Sequence, residues 1–379
     1  MAGQIRDMTK GAPGRLILVF AIPLMLGNIC QQLYTMVDTI VVGQVAGVQA
    51  LAARGAVEWM MWMVLGVSTG ATQGFSILIS QHYGAKKWDL LKKAVARSYI
   101  LTAAVAVILL AVSQVFAHWI LIFLNTPDNI IGMSLLYLRI VFCGIPVVAA
   151  YNIFAAVLRA LGNSRTPLIA MVIAASINVV LDLLFVAEFR WGVAGAAIAT
   201  VIAQAFSALY CFLAVRKIEI VRVSREDFRK IAGLDQKLLK LGAPILFQDA
   251  IISIGGLVVQ FVVNGYGFLF VAGFTATNKL YGILEMAAIS YGYAIVTYVG
   301  QNLGAGKIRR IWKGVHVSAG LAFLTSAVIS LIMFVLGRHI LMLFISGDPS
   351  ETQQVLAIAW KYLSIMAACL CILYFLYVY

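Results

Sequence analysis

Two stretches of the sequence decide the fold, because they repeat one motif: ISQHYGAKK at residues 79–87 and VGQNLGAGK at residues 299–307. An offset of 220 residues aligns identical side chains in the two copies: Gln81 with Gln301, Gly84 with Gly304, Ala85 with Ala305, and Lys87 with Lys307. An offset of 221 residues also aligns Pro23 with Pro244. The chain is therefore predicted to contain an internal repeat.

The composition around this motif is typical of a membrane protein. Of the 379 residues, 63% are hydrophobic and 11% are charged, whereas a soluble domain carries roughly a quarter charged residues. A helix needs about 20 mostly apolar residues to cross a bilayer, and the sequence contains ten runs of this kind. The predicted fold class is all-α, a polytopic membrane protein with spans near residues 14–42, 50–80, 95–117, 130–158, 166–187, 193–214, 238–264, 270–300, 315–337 and 353–379.

Charged residues alternate between the two sides of this predicted bundle. Most of the 28 Lys and Arg residues fall on one set of connections, for example at Lys86 and Arg225. The opposite connections carry Arg190 and Arg338 beside four acidic residues: Asp128, Glu188, Asp348 and Glu351. The positive-inside rule then predicts a cytoplasmic amino terminus. The net charge of +13 follows from topology and from attraction to lipid headgroups, so the lipid bilayer is an expected partner and nucleic acid is not.

The repeat predicts how the chain is organised. An amino-terminal lobe of six helices covers residues 1–216, a cytoplasmic linker covers 217–237, and a carboxy-terminal lobe covers 238–379. Six spans per repeat give both repeats the same orientation, which is the parallel-repeat plan of many transporters. A second repeat as long as the first would extend beyond residue 379. We therefore expect the second lobe to be incomplete, with four helices and the last two missing.

The first span carries a polar stripe, because its polar residues recur at helical spacing. The stripe consists of Asn28, Gln31, Gln32, Thr35, Asp38 and Thr39. Pro23 precedes the stripe and removes one backbone hydrogen bond from the helix, which predicts a hinge there.

Two carboxylates are predicted to share one depth in the membrane. In the fifth span, Asn178 and Asp182 are four residues apart and therefore lie on one helix face. At about 1.5 Å of rise per residue, Asp38, Asp182 and Thr200 all reach the outer half of the membrane. Acidic residues inside a span are functional candidates by default, and this group can hold a proton or a sodium ion. The alternative is that these polar groups are unrelated and are satisfied by backbone carbonyls.

Other intramembrane charges allow weaker predictions. Arg54 and Glu58 are four apart in the second span and are expected to neutralise each other. Lys279 and Glu285 are six apart in the eighth span, so one of them is expected to face a central path. The candidates for lining that path in the second lobe are Gln248, Asp249 and Glu285.

Three further motifs make the sequence resemble the multidrug and toxic compound extrusion (MATE) family. They are VDTIVVG at residues 37–43, LRALGNSRTP at residues 158–167, and NVVLD at residues 178–182. The duplicated Gln-x-x-Gly-Ala-x-Lys loops fit the same family. The resemblance covers essentially the whole chain and is strongest for the bacterial branch with its ion site in the amino-terminal lobe.

This resemblance implies an antiporter of the bacterial inner membrane that exports cationic, amphipathic drugs against H⁺ or Na⁺ by alternating access. The implied residues of the ion site are Asp38, Asn178, Asp182 and Thr200, with Tyr137 and Asn152 lining the same cavity. A monomer with no cofactor other than the coupling ion is expected.

Two alternatives to drug export would need different residues inside the spans. A lipid-linked oligosaccharide flippase of the same superfamily would need a strongly cationic cavity to hold pyrophosphate, whereas the first lobe presents two acids. An intramembrane enzyme would need a His/Glu metal motif or a Ser/His pair within the spans, and the sequence offers neither. An enzyme is therefore not expected.

Overall fold

The structure is a computed structural model that describes residues 5–124, 126–266, 268–342 and 349–379. Within these ranges the regular secondary structure is helical and contains no strand, so the predicted all-α class is confirmed. One acidic residue of the predicted outer connections, Asp348, lies outside the described residues, as does the side chain of Glu351.

The helices are numbered α1 to α12 in chain order. They are α1 Pro13–Val41, α2 Val48–Ala56, α3 Glu58–Gly84, α4 Trp88–Phe123, α5 Asp128–Cys143, α6 Ile145–Ala160, α7 Arg165–Asp182, α8 Gly192–Arg216, α9 Leu234–Asn264, α10 Phe268–Gly304, α11 Ile308–Met342 and α12 Pro349–Val378. Wide π-type turns follow α1 at Val42–Ala46 and α7 at Leu183–Glu188.

The helices match the predicted membrane spans in number and place. In the described part of the chain, nine helices are long and apolar enough to cross a membrane, and α5 with α6 would make a tenth span bent by 44°. The predicted span at 50–80 differs from the structure, because the helix breaks at Val57 between α2 and α3. An unbroken helix would place residues 54 and 58 on one face, and the break removes that constraint.

The stretch predicted as a linker, residues 217–237, contains the start of a helix. Helix α9 begins at Leu234, so the predicted boundary at residue 238 lies inside this helix. Short 3₁₀ turns occupy Glu219–Val221 and Arg225–Phe228 of the linker. Asp235 at the start of α9 pairs with Arg97 of α4, with an Nη2 to Oδ2 distance of 2.6 Å. The division into two lobes stays a prediction.

The two copies of the repeated motif contact each other at the ends of α3 and α10. A Cβ atom at Gly84 would overlap the carbonyl oxygen of Gln301, and a Cβ at Gly304 would overlap the carbonyl oxygen of Gln81. Both positions therefore require glycine for this close approach. We call this pair of close approaches the reciprocal contact. It lies at the same end of the bundle as Lys86 and the other basic connections, and we call this end the basic end.

The amino-terminal segment is bound at the basic end beside the reciprocal contact. Met8 is fully buried, and its backbone N–H donates to Oε1 of Gln301 at 2.8 Å. Asn302 donates through Nδ2 to the carbonyl oxygen of Met8 at 3.1 Å, and Lys307 donates to the carbonyl oxygen of Thr9 at 2.8 Å. Gln301 also donates to the carbonyl oxygen of Ala160 at 2.9 Å. One buried amide thus ties the amino-terminal segment to α6 and α10.

Helix α1 packs against both halves of the chain. Near its start, Ile17, Phe20 and Leu24 share a buried cluster with Tyr291 and Tyr374 of the second half. Its other end lies against α7 of the first half. The helix continues through Pro23 without interruption, so the predicted hinge there stays a prediction.

Candidate ion-coupling site

The four predicted ion-site residues meet where α1, α7 and α8 pack together. Asp38 is 2% exposed, Asn178 and Asp182 are fully buried, and Thr200 is partly buried. The Asp38 and Asp182 carboxyl groups lie within interaction distance of each other. Asn178 donates through Nδ2 to Oγ1 of Thr200 at 3.5 Å. The structure therefore brings together residues that are up to 162 positions apart in the sequence.

Local helix geometry explains how the two acids are presented. Asn178 and Asp182 are one turn apart on α7, and Asp182 is the last residue of that helix. Asp38 lies in the last turn of α1. Each helix then continues into a π-type turn, at Val42–Ala46 and Leu183–Glu188. Wide turns of this kind are frequent at functional sites because they loosen the regular backbone ladder.

Arg54 of α2 is a fifth member of the site that sequence reasoning missed. Its Nη2 lies 2.6 Å from Oδ2 of Asp38, and both side chains are almost fully buried. The guanidinium also bonds to Oγ1 of Thr39, to the hydroxyl of Tyr137 at 3.4 Å, and to the carbonyl oxygen of Thr35 at 3.4 Å. The expected neutralisation of Arg54 by Glu58 is therefore wrong: the break at Val57 frees Arg54 to face α1.

The cluster leaves several buried oxygen atoms without a hydrogen-bond donor. Among the described residues, these atoms include Oδ1 of Asp38, Oδ1 of Asn178, and both Oδ1 and Oδ2 of Asp182. A buried acceptor without a donor is costly, typically by about 1–3 kcal/mol and by more when it is charged. Carboxylate, amide and hydroxyl oxygens are hard donors that suit a hard cation. The donor set fits either a proton or a sodium ion.

Some residues of the polar stripe contact α10, and others bond within α1. On one side, Asn28 donates to the hydroxyl of Ser290 at 3.3 Å, and the Gln32 amide lies beside Gly282; both partners belong to α10. Gln31 and Thr35 are joined within α1, because the Thr35 hydroxyl donates to the Gln31 carbonyl at 2.9 Å. The stripe therefore connects the ion site to the second half of the chain.

The other first-half candidates separate in the structure. Tyr137 belongs to the site through its contact with Arg54. Asn152 instead donates through Nδ2 to Oγ1 of Thr69 on α3 at 3.1 Å. A neighbouring pair was missed: Gln204 donates to the hydroxyl of Tyr34 at 3.3 Å. Helical spacing could have found this pair, since each lies four residues from a predicted site residue.

The three second-half candidates have different surroundings. Asp249 lies against α3, near Gly66 and Gly70, while its neighbour Gln248 is exposed. The hydroxyl of Tyr377 donates to Oε1 of Glu285 at 3.1 Å.

Lys279 forms a salt bridge across the interface between the two halves of the chain. Its Nζ lies 3.1 Å from Oε1 of Glu58 at the start of α3. The charged partner of Glu58 is thus 221 residues away and not the neighbouring Arg54.

The polytopic helical bundle and its buried cluster of two acids and one arginine indicate the class of protein, a membrane transporter. Comparison with known proteins gives the family. The MatE family model matches residues 23–184 and 244–379, and these stretches begin at the two prolines aligned by the internal repeat. The chain belongs to the MatE family.

Two similar proteins from Bacillus subtilis (strain 168) carry names that refer to multidrug resistance. The chain is 29% identical over 366 residues to the probable multidrug resistance protein YoeA, covering 94% of this chain and 79% of the relative. It is 31% identical over 340 residues to the probable multidrug resistance protein YpnP, covering 90% of this chain and 76% of the relative.

Solved structures share the fold. An outward-facing multidrug resistance MATE family transporter of the MOP superfamily has a TM-score of 0.89 at 21% identity, covering 96% of this chain and 81% of that one. A MOP superfamily transporter from Pyrococcus furiosus has a TM-score of 0.87 at 20% identity, covering 97% of this chain and 84% of that one. The predicted fold class and family resemblance are confirmed.

Proposed function

We propose that this protein is a secondary active exporter that exchanges cationic, amphipathic drugs for H⁺ or Na⁺ across a bacterial inner membrane. The observation that carries the proposal is the buried cluster of Asp38 and Asp182, whose unpartnered oxygens call for a cation. The names of the relatives refer to multidrug resistance and support drugs as the substrates. The basic end is the cytoplasmic side under this proposal, by the positive-inside rule.

Alternating access would use the two lobes, residues 1–216 and 238–379, as moving bodies. The reciprocal contact and the hydrogen bonds around Met8 join the lobes at the basic end. These contacts must separate for a drug to enter from the cytoplasm. Cation binding at the cluster of Asp38 and Asp182 acts on α1, which carries Asp38 and reaches both lobes through its packing. Helix α1 is therefore the element that would transmit the state of the ion site to the interface.

A cationic substrate suits the chemistry of the interface. Asp249 supplies an acidic group from the second half of the chain, where it lies against α3. The ring of Tyr293 already contacts a cation at this interface, because the Arg159 guanidinium lies 4.7 Å from the ring centroid. Acidic and aromatic groups together are the usual partners of organic cations.

The test is ethidium exchange in proteoliposomes, driven by an imposed proton or sodium gradient. We expect the wild-type chain to exchange ethidium and Asp38→Asn to lose the gradient-driven component while remaining folded. Asp128→Asn is the matched control, since Asp128 is exposed at the start of α5, more than two helical turns before Tyr137. Unchanged gradient-driven exchange by Asp38→Asn would overturn the ion-site assignment. Movement of an anionic lipid-linked sugar without ethidium exchange would favour the flippase alternative.

A further inference from the structure

Arg54 brings a permanent positive charge into the cluster of acids. Its guanidinium contacts Asp38 on α1 and Tyr137 on α5, and its side chain is 12% exposed. A guanidinium keeps its proton at every relevant pH, so Arg54 stays charged in each state of the protein. A histidine in this place could lose its charge near neutral pH, but an arginine cannot.

The charges that face the cluster can be counted element by element. Helix α1 contributes Asp38, α2 contributes Arg54, and α7 contributes Asp182. The polar residues supplied by α5 and α8, Tyr137 and Thr200, carry no charge. Glu58, four residues after Arg54, also acts on the Arg54 charge but is itself neutralised by Lys279 at the interface. Among the described residues the cluster therefore holds two negative charges and one positive charge.

The guanidinium satisfies only one side of this acid pair. It bonds to Oδ2 of Asp38, whereas Oδ1 of Asp38 and both carboxyl oxygens of Asp182 have no donor. An uncompensated buried charge costs several kcal/mol, so the remaining negative charge favours the uptake of one monovalent cation. A second cation would leave the buried cluster with a net positive charge.

We propose that Arg54 is a resident counter-cation that limits this site to one exchangeable monovalent cation per transport cycle. The inference rests on the proposed function and adds the charge stoichiometry. Arg54 fills the cation position beside Asp38, and the transported cation is held on the Asp182 side. Exchange of one such cation for one singly charged drug cation moves no net charge across the membrane.

The test measures whether ethidium exchange responds to membrane potential. Ethidium carries one positive charge, so one-for-one exchange is electroneutral, and a potassium–valinomycin potential should leave the wild-type initial rate unchanged. Arg54→Gln exposes a second uncompensated carboxylate, so this variant should exchange two cations per ethidium and respond to the potential. Arg54→Lys keeps the charge and should remain electroneutral. Tyr137→Phe removes a contact of Arg54 without changing charge and should also remain electroneutral.

Direct counting of the exchanged cations completes the test, using radioactive sodium or a pH indicator dye inside the vesicles. We expect a cation-to-ethidium ratio near one for wild type, Arg54→Lys and Tyr137→Phe, and near two for Arg54→Gln. A ratio of two in the wild type, or equal ratios in wild type and Arg54→Gln, would overturn the role of Arg54 and leave the proposed function standing. Ethidium exchange that ignores both cation gradients in the wild type would overturn the proposed function and this inference together.

Discussion

At the scale of single residues, the surroundings of each acid in the cluster set its role. Asp38 and Asp182 are separate features of the sequence, and folding places their carboxyl groups together in a nearly dry environment. Asp38 has a charged partner in Arg54, whereas Asp182 has no donor for either oxygen. The two acids therefore have different tasks, and their amide substitutions should have different effects.

The first prediction concerns Asp182→Asn. The amide is isosteric and removes the uncompensated negative charge, so we expect a folded protein that still binds drug and no longer couples drug movement to a cation gradient. Ethidium binding to purified protein and gradient-driven exchange in proteoliposomes measure the two properties separately. Retained gradient-driven exchange would show that Asp182 does not hold the transported cation.

The second prediction concerns Asn178, which donates to Thr200 while its own carbonyl oxygen lacks a donor. Thr200→Val removes the acceptor and leaves the Asn178 amide free to turn. We expect a loss of about 1 kcal/mol in cation affinity, which is roughly five-fold in the cation concentration for half-maximal exchange. Thr200→Ser keeps the hydroxyl and should behave as the wild type. Equal loss in both variants would contradict a role for the hydroxyl.

At the scale of helices, the interface between the halves depends on how closely α3 and α10 approach. The reciprocal contact excludes any Cβ atom at Gly84 or Gly304. Away from this contact, the salt bridge between Glu58 and Lys279 joins the same two helices, with both side chains about two-fifths exposed. Disrupting the close backbone contact should therefore have a large effect on the interface, and disrupting the solvated ion pair should have a small one.

The third prediction is that Gly304→Ala prevents closure of the basic end. A methyl group there overlaps the Gln81 carbonyl oxygen, and backbone atoms cannot yield as a flexible side chain would. We expect a wider distance between spin labels placed at the ends of α3 and α10, and loss of transport. Gly320→Ala on α11 is the matched control, because a Cβ there meets nothing within 4 Å. An unchanged label distance would contradict the reciprocal contact.

The fourth prediction is that the salt bridge between Glu58 and Lys279 makes a small contribution. Exposed ion pairs are worth about 0.2–1 kcal/mol because water screens them. We expect Glu58→Gln or Lys279→Gln to change the ethidium exchange rate less than five-fold, and the double substitution to show a coupling energy in that range. A complete loss of exchange in either single variant would show that the pair acts directly on the substrate.

The sequence allowed the spans and the paired acids to be predicted, for a physical reason. A bilayer requires every backbone group to be bonded within a helix, so apolar length alone indicates each span. Asp38 and Asp182 were recognisable because carboxylates are rare at that depth. The position of Arg54 was not predictable, since the four-residue rule assumes a continuous helix and the break at Val57 removes that continuity. The pairing of Glu58 with Lys279 was not predictable either, because the two residues are 221 positions apart.

At the scale of the whole molecule, the amino-terminal segment acts as part of the interface. Met8 is bound by Gln301 and Asn302 of α10, and Gln301 also bonds to the Ala160 carbonyl in the first half of the chain. Opening of the basic end therefore requires this short segment to be released or to follow one half.

The fifth prediction is that Gln301→Ala loosens this arrangement. The substitution leaves the Met8 N–H and the Ala160 carbonyl without their shared partner, at a cost of about 1–3 kcal/mol for each buried group. We expect faster hydrogen exchange of the amino-terminal segment and a shift towards the form that is open at the basic end. Gln81→Ala, at the equivalent position of the first repeat, is the comparison variant. Equal exchange rates in wild type and Gln301→Ala would contradict this role.

The reciprocal contact also bears on how such a chain could have arisen. Gly84 meets the backbone of Gln301, and Gly304 meets the backbone of Gln81, so each copy of the motif gives and receives the same contact. Mutual exchange of this kind is the signature of an isologous interface between two identical subunits related by a two-fold axis. A single ancestral gene encoding half of this protein would already have carried everything needed to form the contact as a homodimer. In such a dimer one glycine substitution would alter both sides of the contact at once, whereas in this chain the two sides can change independently.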